Sequence, residues 1–387
     1  MNISGRGLTP GYWFYFELTR GFFSTTGNQG RVNDYLVALN AAGQYTTLYN
    51  AIDGLTAYEQ ARALGDLSGE SLATTQSLAM DGMIISTQVL LPQIRPADAC
   101  GRCCSPCPGW DGWITGYGVG GQLNNDGNAT TTNVSTGGTI VGLRRPLGYR
   151  AAGGVYYNFG HTYGDNATRN ASTRIDDHFF GAYLNQQHDG WYWLATGGFG
   201  YDHFQTHRNV AIGSVSESPQ SKHDGWRSIV YGELGDNYGF GRMQLDPFVA
   251  MQYTYLRENG FVEQNGSVTG LDVGGMDFNS LRTHVGARLS RKLPGLGQGR
   301  SRVEVRSIWM HELLDETAPI ATARFSGAGA GSSFLVQGNG LGRDWYWFGT
   351  GWRWTLARNI ELYADYDMLL NECETLHTGS GGLTATW

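Results

Sequence analysis

From residue 110 onward, apolar side chains recur at every second position, and the positions between them are polar or charged. In the clearest run, Met243, Leu245, Val249, Met251, Tyr253 and Tyr255 fall on one face, while Gln244, Asp246, Gln252 and Thr254 fall on the other. Leu281, Thr283, Val285, Ala287 and Leu289 alternate in the same way with Arg282, His284, Arg288 and Ser290. Ile360, Leu362, Ala364 and Tyr366 alternate with Glu361, Tyr363 and Asp365. A period of two belongs to strands, whose successive side chains point to opposite sides. In each run the charge keeps to one face, and this limits the architecture severely. A soluble sandwich or propeller hides an apolar face against a second sheet, and it has no need of so many long strands with a charged opposite face. A closed barrel in a bilayer needs both faces, one for lipid and one for a polar lumen.

Such runs number roughly twelve between residues 110 and 387, each about the ten residues that a tilted strand needs to cross a bilayer. Segments rich in Asn, Asp, Gly, Ser and Thr, at 124–138 and 208–224, alternate with tighter turns at Leu147-Gly148 and His188-Asp189-Gly190. Outer-membrane barrels have this asymmetry of long loops and short turns. Trp191 with Trp193, and Trp345 with Trp347, lie near strand ends, where an indole suits the water–lipid boundary. The 58 glycines and 13% aromatic residues also favour short-turn β architecture. No apolar run approaches the length of a membrane helix, and the mean hydropathy of -0.32 is what a strand diluted by lumen-facing polar residues would give. A net charge of -7 without a basic patch excludes nucleic acid as a partner.

Ahead of the strands the period changes. Tyr35, Leu36, Leu39, Leu48, Ile52, Leu55, Tyr58, Leu64 and Leu67 recur at three and four residues between Val32 and Leu72, which predicts helices broken at glycines 43, 54, 65 and 69. An amphipathic helix is expected from Glu70 to Leu91, stopping at Pro92 and Pro96. The chain divides on this reading into a stub at 1–30, a helical linker at 31–97, a Cys-rich linker at 98–109 and a barrel at 110–387. The first residues lack the basic start, apolar core and cleavage site of a signal peptide, so the chain reads as the tail of a longer exported precursor.

Cys100, Cys103, Cys104 and Cys107 form CxxCCxxC. In an oxidising periplasm disulfides are the default, within the segment or between chains; free thiols and a bound metal are the alternatives. Of the nine histidines, His161, His178, His188, His203 and His207 show no ligand spacing and read as solvated or lumen residues. With no GxSxG elbow, phosphate loop or HExxH helix, the segment is read as non-enzymatic and without cofactor. Arg302, Glu304, Arg306, Glu361 and Asp365 alternate with apolar neighbours and are assigned to the lumen, as groups that hydrate and size a pore or as charges paired across it.

Several motifs, taken in order, resemble the translocator domain of autotransporters, the type V secretion barrels. Asn28-Gln29, then Ala63-Leu64 and Leu67-Ser68-Gly69-Glu70 followed by Ala73, Gln76 and Ser77, resemble the family's pre-barrel ALxxLSGExxAxxQS. Gly142, Gly154, Tyr183 and Gly235 stand at strand positions that the family keeps small or aromatic; Leu245, Pro247 and Tyr253 resemble LxPxxxxxY. Trp309, His311 and Glu312 resemble WxHE; Gly349, Gly351 and Leu356 resemble GxGxxxxL; Leu362, Tyr363, Ala364 and Tyr366 resemble LYAxY. The resemblance implies a twelve-stranded antiparallel transmembrane β-barrel preceded by an α-helical segment inside or beneath the pore. It also implies delivery of an upstream passenger to the cell surface, with residues 1–30 resembling the last strand of a β-helical passenger. The implied partners are outer-membrane lipids, the barrel-assembly machinery and the passenger. Leu383, Ala385 and Trp387 keep part of the family's terminal insertion signal, with Trp in place of the usual Phe. A stand-alone outer-membrane pore or adhesin is the rival reading, and a secreted soluble β protein binding carbohydrate a third.

Overall fold

The computed structural model describes residues 21–96 and 109–387, apart from residues 149, 297, 298, 330 and 358 and the side chains of 294–300. The cysteine cluster and residues 1–20 of the 1–30 stub lie outside the described residues, while 27–30 of that stub already belong to the first helix. Four helices come first: α1 (Gly27–Ala41), α2 (Thr46–Asp53), α3 (Ala57–Ser68) and α4 (Glu70–Ile94). Twelve long strands follow: β1 (Asp111–Leu123), β2 (Thr132–Gly148), β3 (Ala151–Asn166), β4 (Ala171–Gln187), β5 (Trp191–Arg208), β6 (Gln220–Asp236), β7 (Met243–Glu258), β8 (Met276–Leu296), β9 (Gly299–Glu312), β10 (Asp344–Ala357), β11 (Ile360–Leu370) and β12 (Glu374–Thr386).

Each long strand pairs antiparallel with its neighbours in sequence, and β1 closes on β12 from Asp111↔Thr386 to Leu123↔Glu374. Closure satisfies every edge, the condition that lipid imposes on a sheet. The alternation read from the sequence is the alternation of the wall. Val249 on β7 and Val285 on β8 are directly paired and face outward, while Gln252, Thr254, Arg282 and His284 are buried inside. Strand β2 begins at Thr132 and β6 at Gln220, so the loops are shorter than their composition suggested.

The two ends of the barrel differ. At one end the connections are short, with the turn at 188–190 between β4 and β5 typical of them. At the other, the segments 209–219, 259–275 and 313–343 are long and carry small strands of their own, among them Leu271–Val273, Ile320–Phe325 and Phe334–Gln337. Short turns mark the periplasmic side and long loops the cell surface.

Helices α1–α3 sit over the long-loop end and share a core with it. Val32, Leu36, Leu48, Ile52, Leu64 and Leu67 pack against loop residues that include Val210, Phe261, Leu271, Phe325 and Phe334. Thr26 caps α1 through Gln29 N, and Thr56 with Glu59 forms a reciprocal capping box on α3. Gly65 does not break α3 as its residue type suggested: it lies in mid-helix, where a Cβ would meet the Arg169 guanidinium at 2.1 Å. Gly69 does make a break, with φ of +71° between α3 and α4.

Helix α4 runs down the lumen and departs from its expected form in two ways. It is enclosed nearly all round, so its Thr, Ser and Gln positions meet the lumen wall where an amphipathic helix would meet water. It also passes through Pro92 to end at Ile94. Trp345 and Trp347, expected at the membrane boundary, are 0% and 1% exposed and point inward, leaving Tyr346 and Phe348 on the outer wall. The periodicity was right, but an indole's position along a strand does not reveal its face. His161, His178 and His203 do not point into the lumen; they lie outside on the wall, bonded to Asp176, Tyr157 and Asp224.

Candidate functional site: the threaded lumen

The geometry of interest is the passage of α4 through the barrel and the contacts that hold it there. At the surface end, Glu70 opens α4 just after the Gly69 turn. Its carboxylate accepts from Arg169 Nε at 2.9 Å, Thr130 N at 3.0 Å and Thr130 Oγ1 at 2.6 Å. A carboxylate in the first turn also complements the helix dipole. Arg208 grips Glu263 with two nitrogens, at 2.8 and 2.5 Å, and donates to the Asp66 carbonyl at 2.8 Å. The residues around the α3–α4 break are thus held by loops after β1, β3 and β7 and by the end of β5. Ser68, the partner of Glu70 in the LSGE motif, donates to the Gly65 carbonyl at 2.7 Å and accepts from Glu70 N, while Leu67 is buried in the cap core. Burial pushes the Asp66 carboxyl up to about 6, against the pull of Arg169 at 3.8 Å.

Further down, Thr75 Oγ1 donates to Glu258, which also binds His223 Nε2 at 2.6 Å. Ser77 Oγ donates to the Asn339 carbonyl of the long β9–β10 loop. The Gly338 backbone lies so close to α4 that a Cβ there would meet Thr74 N at 2.6 Å. In mid-lumen, Arg227 pairs with Asp177 at 2.5 Å and Asp202 at 3.3 Å, and donates to the Ala79 carbonyl. Arg282 lies over the Trp345 ring at 3.8 Å and pairs with Glu312 at 3.1 Å.

At the periplasmic end, Arg95 makes a bidentate pair with Glu233 at 2.8 and 2.7 Å. Glu233 also receives Tyr192 OH, Tyr231 OH and Arg288. The last carbonyls of α4 are met by Asn185, which donates to Ile94 O, and by Arg353, which donates to Pro92 O. Both ends of the helix are therefore tied by buried ion pairs to the barrel. Such pairs contribute little net stability when formed but leave an uncompensated charge when one partner is removed. They fix where α4 sits more than how strongly it is held.

Of the residues assigned to the lumen from sequence, Arg306 pairs with Asp365 at 2.9 Å, Asp367 at 2.6 Å and Glu304 at 3.5 Å, and Glu361 with Arg353 at 3.6 Å. Arg302 lines the lumen mouth beside them. At the end of the chain, Leu383 and Ala385 lie on the outward-facing positions of β12. The backbone of Trp387 exchanges bonds with Trp110, and its ring crosses Gly112. Glu233, Glu258, Glu263, Arg208 and Arg227 were not singled out by sequence, although alternation puts Arg227 and Glu233 on the same face of β6. What selects them is the helix opposite, which only the closed barrel supplies.

A closed barrel of twelve antiparallel strands with its own N-terminal segment threaded through the lumen defines a class of outer-membrane transport proteins. The autotransporter beta-domain model matches residues 112–367, and the chain belongs to that family. Among solved structures, the translocator domain of the autotransporter NalP from Neisseria meningitidis superposes with a TM-score of 0.61 at 14% identity, covering 80% of this chain and 97% of that one. The β domain of the Bordetella autotransporter BrkA gives 0.51 at 14% identity, covering 72% and 99%. An extracellular serine protease of Serratia marcescens is 24% identical over 155 residues, which is 40% of this chain and 15% of that protein. The chain thus spans a small part of that relative's length. The chain is therefore a translocation barrel of the bacterial outer membrane.

Proposed function

We propose that the structure is the barrel after passage, with α4 retained in the lumen as the tether between a passenger outside and the barrel in the membrane. The observation that supports this most is the direction of α4. Its N-terminal end lies among the long loops with α1–α3 above it, and its C-terminal end lies at the short-turn side, from which the chain goes on to β1. Anything joined ahead of α1 therefore lies at the opposite end of the barrel from Asp111, where its first strand begins. The Glu70 cluster acts as the upper latch and Glu233 as the lower one. Arg302, Glu304, Arg306, Glu361 and Asp365 act as the charged lining of the conduit, and the work of the segment is transport and anchoring, without catalysis. Leu383, Ala385 and Trp387 form the terminal signal read by the assembly machinery, and lipid contacts the outward face.

The test is to place an epitope tag ahead of residue 21 behind an export signal and to probe intact cells with antibody and protease. Surface exposure of the tag on cells whose barrel is heat-modifiable supports the tether. A folded barrel with the tag left in the periplasm would support a stand-alone pore instead.

A further inference from the structure

A polar pocket of about 290 Å³ opens near the long-loop end of the barrel, where β4, β5 and β6 lie side by side. The strand register sets its side chains in a row. Tyr163 on β3 is directly opposite Arg174 on β4, Arg174 is opposite Gln205 on β5, and Gln205 is opposite Lys222 on β6. His207 and Gln220 form the next pair toward the loops. These residues alternate with the buried Thr173, Thr206 and Ser221, so they stand on the outer face of the wall.

Below the pocket the wall changes character row by row. Toward mid-strand come first His161, Asp176, His203 and Asp224, then Phe159, His178, Tyr201 and Trp226, then Tyr157, Phe180 and Phe199. Phe159, Tyr201, Trp226, Phe180 and Phe199 are all exposed. A band of Tyr and Trp above exposed Phe marks the boundary between headgroups and hydrocarbon. The pocket row lies two rows beyond that band, roughly 14 Å along the strand. Long Arg and Lys side chains there reach across the headgroup layer.

We infer that this pocket binds the phosphate of a lipid whose acyl chains lie along the apolar wall beneath it. Arg174, Lys222, His207, Gln205, Gln220 and the Tyr163 hydroxyl bring donors from four strands to one small pocket, and among the described residues no carboxylate lines it. A phosphate offers only acceptors to such a set. Arg174 is already engaged, because Asp176 accepts from it at 3.4 Å and bonds His161 at 2.6 Å. A guanidinium carries five N–H donors, so the pair steadies Arg174 and leaves other donors for a phosphate. Asp165 opposite Ser172, with Asp176 and Asp224 on the membrane side, borders the pocket with negative charge and favours one compact phosphate over an extended polyanion. A soluble anion would meet the same donors but gain nothing from the aromatic band and the apolar wall. Only the naming of this end as the cell surface rests on the translocator reading; the binding itself can be measured without it.

The test uses the full chain folded in detergent and native mass spectrometry, with phosphatidic acid and diacylglycerol of the same acyl chains as probes. Phosphatidic acid should bind and diacylglycerol should not, and Arg174→Gln with Lys222→Gln should weaken binding by roughly tenfold or more. Arg343→Gln, in the β9–β10 loop at the same end, should leave binding unchanged. Heat-modifiability checks folding; should the double variant fail it, Lys222→Gln alone, at an exposed position, still should lower the affinity. Inorganic phosphate in large excess should not displace the lipid; displacement would make this a site for the free anion and overturn the lipid assignment. Equal binding of both lipids, or full binding by the folded double variant, would overturn the site. Failure of surface delivery with lipid binding intact would count against the translocator reading and not against the site.

Discussion

Glu70 concentrates at one side chain the energetics that hold the tether. Its carboxylate is buried with Arg169 and two donors of Thr130, so Glu70→Gln leaves the guanidinium only Asp66, at 3.8 Å, as a counter-charge. Removing one partner of such a pair costs about 3–5 kcal/mol. Faster proteolysis of the α1–α3 cap, with the barrel still heat-modifiable, is the expected result. Asp66 adds a pH dependence. Its folded value of about 6 lies above the ordinary 3.8, so the folded cap holds a proton that the unfolded cap releases between these values. This contribution is fully present below about pH 4 and lost as pH rises through 6, a span worth about 3 kcal/mol. Asp66→Asn should flatten the change in cap stability across that window, measured by protease protection at a series of pH values. On the outer wall, Val249 is 53% exposed and sits in mid-strand, and Val249→Arg should cost about 2–4 kcal/mol in a lipid-vesicle refolding titration. A lumen change such as Gln252→Arg would be mild in an open pore, but Gln252 is 1% exposed here, so that change also carries a packing cost.

Among the elements, the break between α3 and α4 is the one that sets direction. Gly69 adopts φ of +71°, and a Cβ there would meet Leu271 Cδ1 at 2.6 Å. Gly69→Ala therefore meets both the left-handed backbone penalty of about 1–2 kcal/mol and a steric clash. The cap should loosen while the strands stay intact, which amide exchange of α1–α3 against the barrel would show. Strand β12 ends with the Trp387 ring across Gly112 of β1, at the seam where the barrel closes. Deleting Trp387 should slow closure and insertion more than it lowers final stability, and insertion kinetics into vesicles measure that difference.

For the whole molecule, orientation is the property with most consequence. Cys373 lies in the β11–β12 connection at the long-loop end, and burial with help from Glu372 pushes its thiol up to about 11. A membrane-impermeant maleimide should label it from outside intact cells, slowly near neutrality and faster at alkaline pH. Labelling that requires the outer membrane to be permeabilised would reverse the assigned topology. The twelve strands, the facing of those with charge on one side and the helical segment before them were legible in sequence. A period of two with charge on one face is a local property of each strand, as Met243 to Tyr255 shows, and closure follows because lipid tolerates no open edge. The LSGE motif was visible too, but not its role, since Glu70 meets Arg169 and Thr130 from loops far along the chain. Periodicity did not tell that α4 would be buried on nearly every face and not amphipathic, or that Trp345 and Trp347 would turn inward. Sequence by itself determined the class of fold, because alternation and loop asymmetry are written residue by residue. Tertiary structure alone decided which polar groups meet, because the register of closed strands and the helix threaded through them bring together side chains that no local spacing relates.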